Sequence, residues 1–171
     1  MKWFFEYPGN VAVLRQEAES WIGTPFRPHS KAKGISGGVD CVGLCEGILC
    51  PVIGEDSFSF PRTPMDYSMH NDSSVLLDYL RGKVASDAES DRLRAIFAEI
   101  PNGETVMPGD LVAFKIGKCA HHLAVALSHR HIIHCFTGRS VDVANLQDST
   151  FAKRIEAIFR TRVRAGQAVT P

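Results

Sequence analysis

The stretch GGVDCVGLCEGILCP, residues 37–51, opens on turn-forming glycines, passes an acidic residue and a cysteine, and then runs apolar to a proline. Val42, Leu44, Cys45, Ile48 and Leu49 have the spacing of a short buried helix that Pro51 should end, with Cys41 in its first turn. At that address the unpaired N–H groups and the helix dipole favour negative charge and draw a thiol toward thiolate. Cys45 lies one turn further in and Cys50 at the far end, where the dipole has the opposite sign. Both read as small buried apolar residues.

Upstream, Asn10 is a candidate N-cap for a helix running to about Ile22, with Val11, Leu14, Ala18 and Trp21 at helical spacing. GTPF at 23–26 stops it, and residues 27–39 lack apolar periodicity, which predicts an irregular loop. Arg27, Lys31 and Lys33 make that loop locally basic, suited to an acidic ligand or simply to water. Downstream, residues 51–70 read as a second loop. Asp72 or Ser73 can cap a helix carrying Val75, Leu76, Tyr79 and Leu80, and Leu93, Ile96, Phe97 and Ile100 predict another that ends before Pro101.

From MPGD onward the pattern changes. Segments 111–116, 122–128, 131–136, 140–144 and 157–163 are short and β-rich, with turns between them. Helices followed by a run of antiparallel strands define an α+β domain. At 171 residues with 44% hydrophobic content, the chain has the size of one domain. The expected unit is therefore 1–171, helical over about 10–100 and stranded over about 110–164.

A cysteine nucleophile needs a base within hydrogen-bond reach, and the base needs a third group to fix its tautomer. The strand region holds His121, His122, His129, His131 and His134. His122 opens one predicted strand and His134 lies late in the next, with SHRH as the turn. A hairpin centred on Ser128 and His129 would set 122 almost opposite 134. His121, His129 and His131 read as solvated turn or edge residues.

Lys+Arg and Asp+Glu are equal at 19 each, and no basic run is interleaved with aromatics, which argues against nucleic-acid binding. No stretch approaches the ~20 apolar residues of a membrane span, and the N-terminal apolar patch is broken by Glu6 and Pro8, too short for a signal peptide. The expectation is a soluble chain, cytoplasmic when made. Five cysteines, an odd number partly in apolar runs, fit reduced thiols better than a disulfide framework.

WIGTPF, GGVDCVGL, PGDLVAF, HHLAVAL and HIIHCF, in that order from about Trp21 to Phe159, resemble the NlpC-type cysteine peptidases of bacterial cell walls, a compact version of the papain-like fold. KAKGISGGVDCVGL, the long middle region 51–106 and the closing RIEAIFR are most similar to the branch found in phage tails and gene-transfer particles. The resemblance implies hydrolysis of the bond between D-γ-glutamate and the diamino acid of peptidoglycan stem peptides. It implies Cys41 as nucleophile, His122 as general base and His134 as the residue that orients it. Asp40 would form the floor of the substrate site and face a stem-peptide amine. Implied partners are the stem peptide and phage-tail tip proteins, in a particle assembled after synthesis in the cytoplasm. The chemistry needs no metal and no organic cofactor.

Two departures stand out. Phe26 replaces the tyrosine that usually follows GTP, whose hydroxyl can assist an oxyanion, so backbone N–H groups including that of Cys41 would carry that role. Val42 replaces a frequent serine and reads as a substrate difference. Three rival readings keep parts of the pattern. One is a zinc-binding module built from Cys41, Cys45, Cys119, His121, His122, His131, His134 and Cys135, although the paired C-x₂-C spacing is missing. Another is a non-catalytic tail component with the same fold. The third is a related hydrolase for other amides, esters or thioesters.

Overall fold

The computed structural model describes residues 3–54, 58–60, 73–83, 86–101 and 103–163. After a 3₁₀ turn, helix α1 runs Pro8–Glu19, with the proline at its first position, where a missing N–H costs nothing. Asn10 does not cap it. Its buried amide donates to the Phe4 carbonyl at 2.7 Å and ties the helix back to the preceding turn. The loop before the cysteine helix is less irregular than its composition predicts, because β1 (Lys31–Ala32) and β2 (Gly38–Val39) pair as a small hairpin.

Helix α2 spans Cys41–Ile53 and is buried on nearly every side, as a helix apolar all round must be. Pro51 does not end it. The proline sits in the last turn, and the chain leaves the helix only at Gly54, where φ is 119°. The expected helix after the second loop is α3, Val75–Leu80. Its cap is Ser74, whose Oγ accepts the Leu77 N–H at 3.1 Å and donates to the Ala120 carbonyl at 2.6 Å. Of the two caps read from the sequence, Ser73 is one residue too early, and Asp72 lies outside the described residues, as does most of the 51–70 loop.

The region from 87 to 100 corrects the sequence reading. Helix α4 covers Asp87–Ile96, and Phe97–Ile100 is a strand, β3, instead of the end of that helix. Apolar residues at 93, 96, 97 and 100 satisfy the helical period, but 97 to 100 pair residue for residue with a strand some sixty positions away. That long-range ladder overrides the local pattern.

The remaining elements are β4 (Leu111–Ile116), β5 (Cys119–Ala126), β6 (His131–His134), β7 (Asp142–Asn145), α5 (Ser149–Ala152) and β8 (Ile155–Thr161). They form a six-stranded antiparallel sheet in the order β3-β8-β4-β5-β6-β7. Alternation splits the strands between two cores. Leu111, Ala113, Leu123, Val125, Ile133 and Phe159 face α2, whereas Val112, Phe114, Ala124, Ala126, Ile132 and Ile158 face the other way, toward Phe151 on α5.

PGD at 108–110 has a structural explanation. Gly109 has φ 78°, and a Cβ there would lie 2.0 Å from the Phe5 ring, so only glycine fits. Asp110 is fully buried and takes two bonds from Arg160, from Nε and Nη2, both at 2.9 Å. It also accepts the Met107 N–H at 2.8 Å, so the turn into β4 is pinned to β8. Among the described residues, no helix is long and apolar enough to cross a membrane.

Candidate active site

Cys41 begins α2 because Asp40 caps it. The Asp40 carboxylate accepts the Gly43 N–H on one oxygen and the His29 N–H on the other, both at 2.7 Å. Asp40 is fully buried, and these bonds make it the residue that fixes the helix start. Phe26 is half-buried. It is held beside Val39 by a parallel bridge and by its N–H donating to the Arg139 carbonyl at 2.8 Å.

His122 and His134 are brought together, in a different register from the hairpin expected. The ladder pairs Val125 with Ile133 and Ala126 with Ile132, so its centre is His129, and His134 lies across from Ala124. His122 and His134 are therefore diagonal neighbours on one sheet face, the spacing at which large side chains still meet. Their rings are 5.4 Å apart at 82°. Phe136 stacks on His122 at 4.1 Å, Phe114 lies at 5.9 Å, and Phe151 meets His134 edge-on at 5.1 Å. The sequence reading missed this aromatic box, although the period-2 alternation through 132, 134 and 136 carried it.

The β5–β6 ladder ends at Val125↔Ile133, and beyond it the Leu123 amide comes near the Cys41 sulfur, as does the N–H of Val42. The thiol thus meets the sheet one residue from His122. Burial dominates the electrostatics. It pushes the Cys41 thiol up to about 12, against the lowering by the two N–H groups, so the helix start does not yield a resting thiolate. Burial, with some help from His134, pushes His122 down to about 3. His134 is lowered by burial too, partly offset by the Asp142 carboxylate. The pair rests as neutral thiol and neutral imidazole.

At this site Nε2 of His122 and Nδ1 of His134 are buried without a hydrogen-bond partner. Beside His134 opens a cleft of about 590 Å³, bordered by Phe136, Arg139, Asp142, Val143 and Phe151.

The other candidates separate from this centre. Cys45 is buried one turn into α2 with its thiol raised by burial, and Cys50 donates to the Phe58 carbonyl. Cys119 and His121 contact each other at 3.2 Å, and His131 contacts Ser128 at the hairpin turn. All five cysteines are free thiols. Among the described residues, no three of His, Cys, Asp and Glu are grouped to hold a metal ion, so the scattered zinc ligands do not converge. The basic loop is largely neutralised: Lys31 pairs with the buried Glu46 at 3.0 Å and Lys33 with Glu17 at 2.6 Å.

A cysteine-initiated helix packed against an antiparallel sheet that carries the histidines is the architecture of the papain-like fold. The chain belongs to the NlpC/P60 family, whose model matches residues 23–160, a family made up typically of cell-wall peptidases. Among solved structures it is similar to a lipoprotein-like NLP/P60 protein of Staphylococcus aureus, with TM-score 0.58, 17% identity, and 92% of this chain and 43% of that one covered. It also resembles the P60 domain of a Mycobacterium avium paratuberculosis antigen, with TM-score 0.52, 15% identity, and 93% and 96% covered. A third similar structure is RipD of Mycobacterium tuberculosis, described as a non-catalytic NlpC/p60 domain protein adapted to peptidoglycan binding, with TM-score 0.52, 14% identity, and 92% and 99% covered. This chain thus spans less than half of the staphylococcal protein and nearly all of the two mycobacterial ones. No curated protein matches it.

Proposed function

We propose that this protein is a cysteine peptidase that cuts the D-γ-glutamyl–diamino acid bond of peptidoglycan stem peptides, working in a phage-tail-type particle. The observation that carries the catalytic reading is the Cys41 sulfur within reach of the Leu123 amide, next to His122, whose ring packs on His134. The tail-particle setting rests on the KAKGISGGVDCVGL and RIEAIFR segments and the long middle region.

His122 takes the Cys41 proton on Nδ1 as sulfur attacks the isopeptide carbonyl carbon, giving a tetrahedral oxyanion. The Cys41 N–H at the start of α2 serves that oxyanion, because Phe26 supplies no hydroxyl and the Gly43 N–H is held by Asp40. Collapse breaks the C–N bond, and His122 gives its proton to the leaving amine. Water then loses a proton to His122 and attacks the thioester, and the proton returns to the released thiolate. The two rings are not hydrogen-bonded at rest, and in the reacting complex the His122 Nε2–H turns to the His134 Nδ1, the buried acceptor on the adjacent ring. Asp40 contributes by fixing where the helix begins.

The test is digestion of a purified L-Ala-D-γ-Glu-diaminopimelate-containing stem peptide, followed by mass spectrometry. The wild-type chain should release the L-Ala-D-Glu dipeptide. Cys41→Ala and His122→Ala should abolish release, His134→Ala should weaken it, and Cys45→Ala should leave it largely intact. Binding of the peptide with no product from the wild type would overturn the catalytic reading in favour of a non-catalytic wall-binding protein.

A further inference from the structure

We infer that Asp142 is a positioning residue for this site: it sets the tautomer of His134 from the neighbouring strand, and through His134 the orientation of His122. The inference rests on the catalytic reading for its functional consequence and on geometry for its substance. His134 and Asp142 are direct cross-strand partners in the β6–β7 ladder, so both side chains leave the sheet on the same face, at the short spacing of opposed residues. Both border the same cleft of about 590 Å³.

The logic is one of donors and acceptors. His122 is useful as a base only if Nδ1 carries the lone pair, which puts its proton on Nε2. That buried Nε2–H needs an acceptor, and the orphaned Nδ1 of His134 is the nitrogen of the adjacent ring that can accept. His134 must then hold its own proton on Nε2. His134 and Asp142 both border the cleft, and since Nδ1 is the buried, unpartnered nitrogen, Nε2 is the one we assign to the Asp142 side. A carboxylate on that side favours the Nε2–H tautomer. The cleft is roomy and polar enough for the influence to pass directly or across one water.

The charged groups facing His134 are few. Asp142 comes from β7 and Arg139 from the loop before it, β5 contributes the neutral His122, and α5 contributes the apolar Phe151. The Asp142 field also opposes the burial that lowers His134.

Asp142→Asn separates this role from a structural one. Asp142 Oδ1 accepts the Val143 N–H at 2.7 Å, and an asparagine oxygen keeps that bond while removing the charge. The readout is the side-chain ¹⁵N spectrum of His134 at pH 7 in the full chain, beside stem-peptide kinetics. In the wild type His134 should be mainly the Nε2–H tautomer. In Asp142→Asn that preference should collapse, with kcat lowered about three- to tenfold and KM little changed, short of the ~10⁴-fold loss for a carboxylate bonded directly to a base. Asp142→Glu should restore both. An unchanged His134 tautomer in Asp142→Asn overturns the inference. Because that spectrum does not depend on turnover, failure of the peptide assay alone would count against the proposed reaction and leave the Asp142 result readable.

Discussion

The buried neutral imidazole of His122 predicts a specific acid sensitivity. In the unfolded chain His122 titrates near its ordinary 6.5, whereas in the folded protein burial holds it down to about 3. Below pH 6.5 the unfolded state therefore binds a proton that the folded state refuses, and stability falls as pH drops from 6.5 toward 3. The single-site linkage amounts to ~0.2 kcal/mol at pH 7 and ~2 kcal/mol at pH 5. The perturbation is His122→Phe, because the ring lies between Phe136 and Phe114 and a phenyl group fills the same slot without a titrating atom. Urea denaturation at pH 7 and pH 5 gives the difference. The wild type should lose ~2 kcal/mol more than the variant over that interval, with the carboxylates and the other histidines cancelling between them. Equal losses in both proteins would mean that His122 is hydrated or charged when folded, and the neutral-base reading would fail with it.

Two further outcomes concern the scaffold that holds the site. Arg160→Ala strands the fully buried Asp110 carboxylate, and should cost ~3–5 kcal/mol by denaturant unfolding, with Asp110→Ala/Arg160→Ala recovering part of the loss. A loss under ~1 kcal/mol would show that the pair contributes as little as an exposed ion pair. Gly47→Ala would put a Cβ 2.3 Å from the Trp21 ring and push the turn after α1 away from α2, costing ~1–3 kcal/mol. An unchanged unfolding midpoint and tryptophan emission would refute that close contact.

Much of this was legible in the sequence because it is local. The start of α2 follows from Asp40, Cys41 and the apolar run behind them, and β4 falls on the residues its pattern predicts. What escaped was set by partners far along the chain. Phe97–Ile100 is a strand only because β8 pairs with it, and the β5–β6 register shifted His134 from opposite His122 to diagonal to it. The electrostatics of Cys41 also misled: a helix start argues for thiolate, but its favourable field is small beside the cost of burying a charge where the sulfur sits. The lysines of the 27–39 loop looked available until folding supplied Glu46 and Glu17.

That electrostatic balance bears directly on how such a site can work. With the thiol pushed up to about 12 and the imidazole down to about 3, the ion pair is the disfavoured state of the free protein. In the proposed reaction the proton therefore crosses from sulfur to nitrogen as the sulfur attacks, when charge is passing on to the substrate carbonyl oxygen. What would make that transfer feasible is fixed geometry: the Leu123 and Val42 amides near the sulfur, and an imidazole held between Phe136 and Phe114. A fold shared with the non-catalytic RipD does not by itself decide between hydrolysis and binding. Under the proposed reaction the distinction lies in whether the His122 ring is oriented to receive that proton, which would make His134 and then Asp142 matter as much as Cys41.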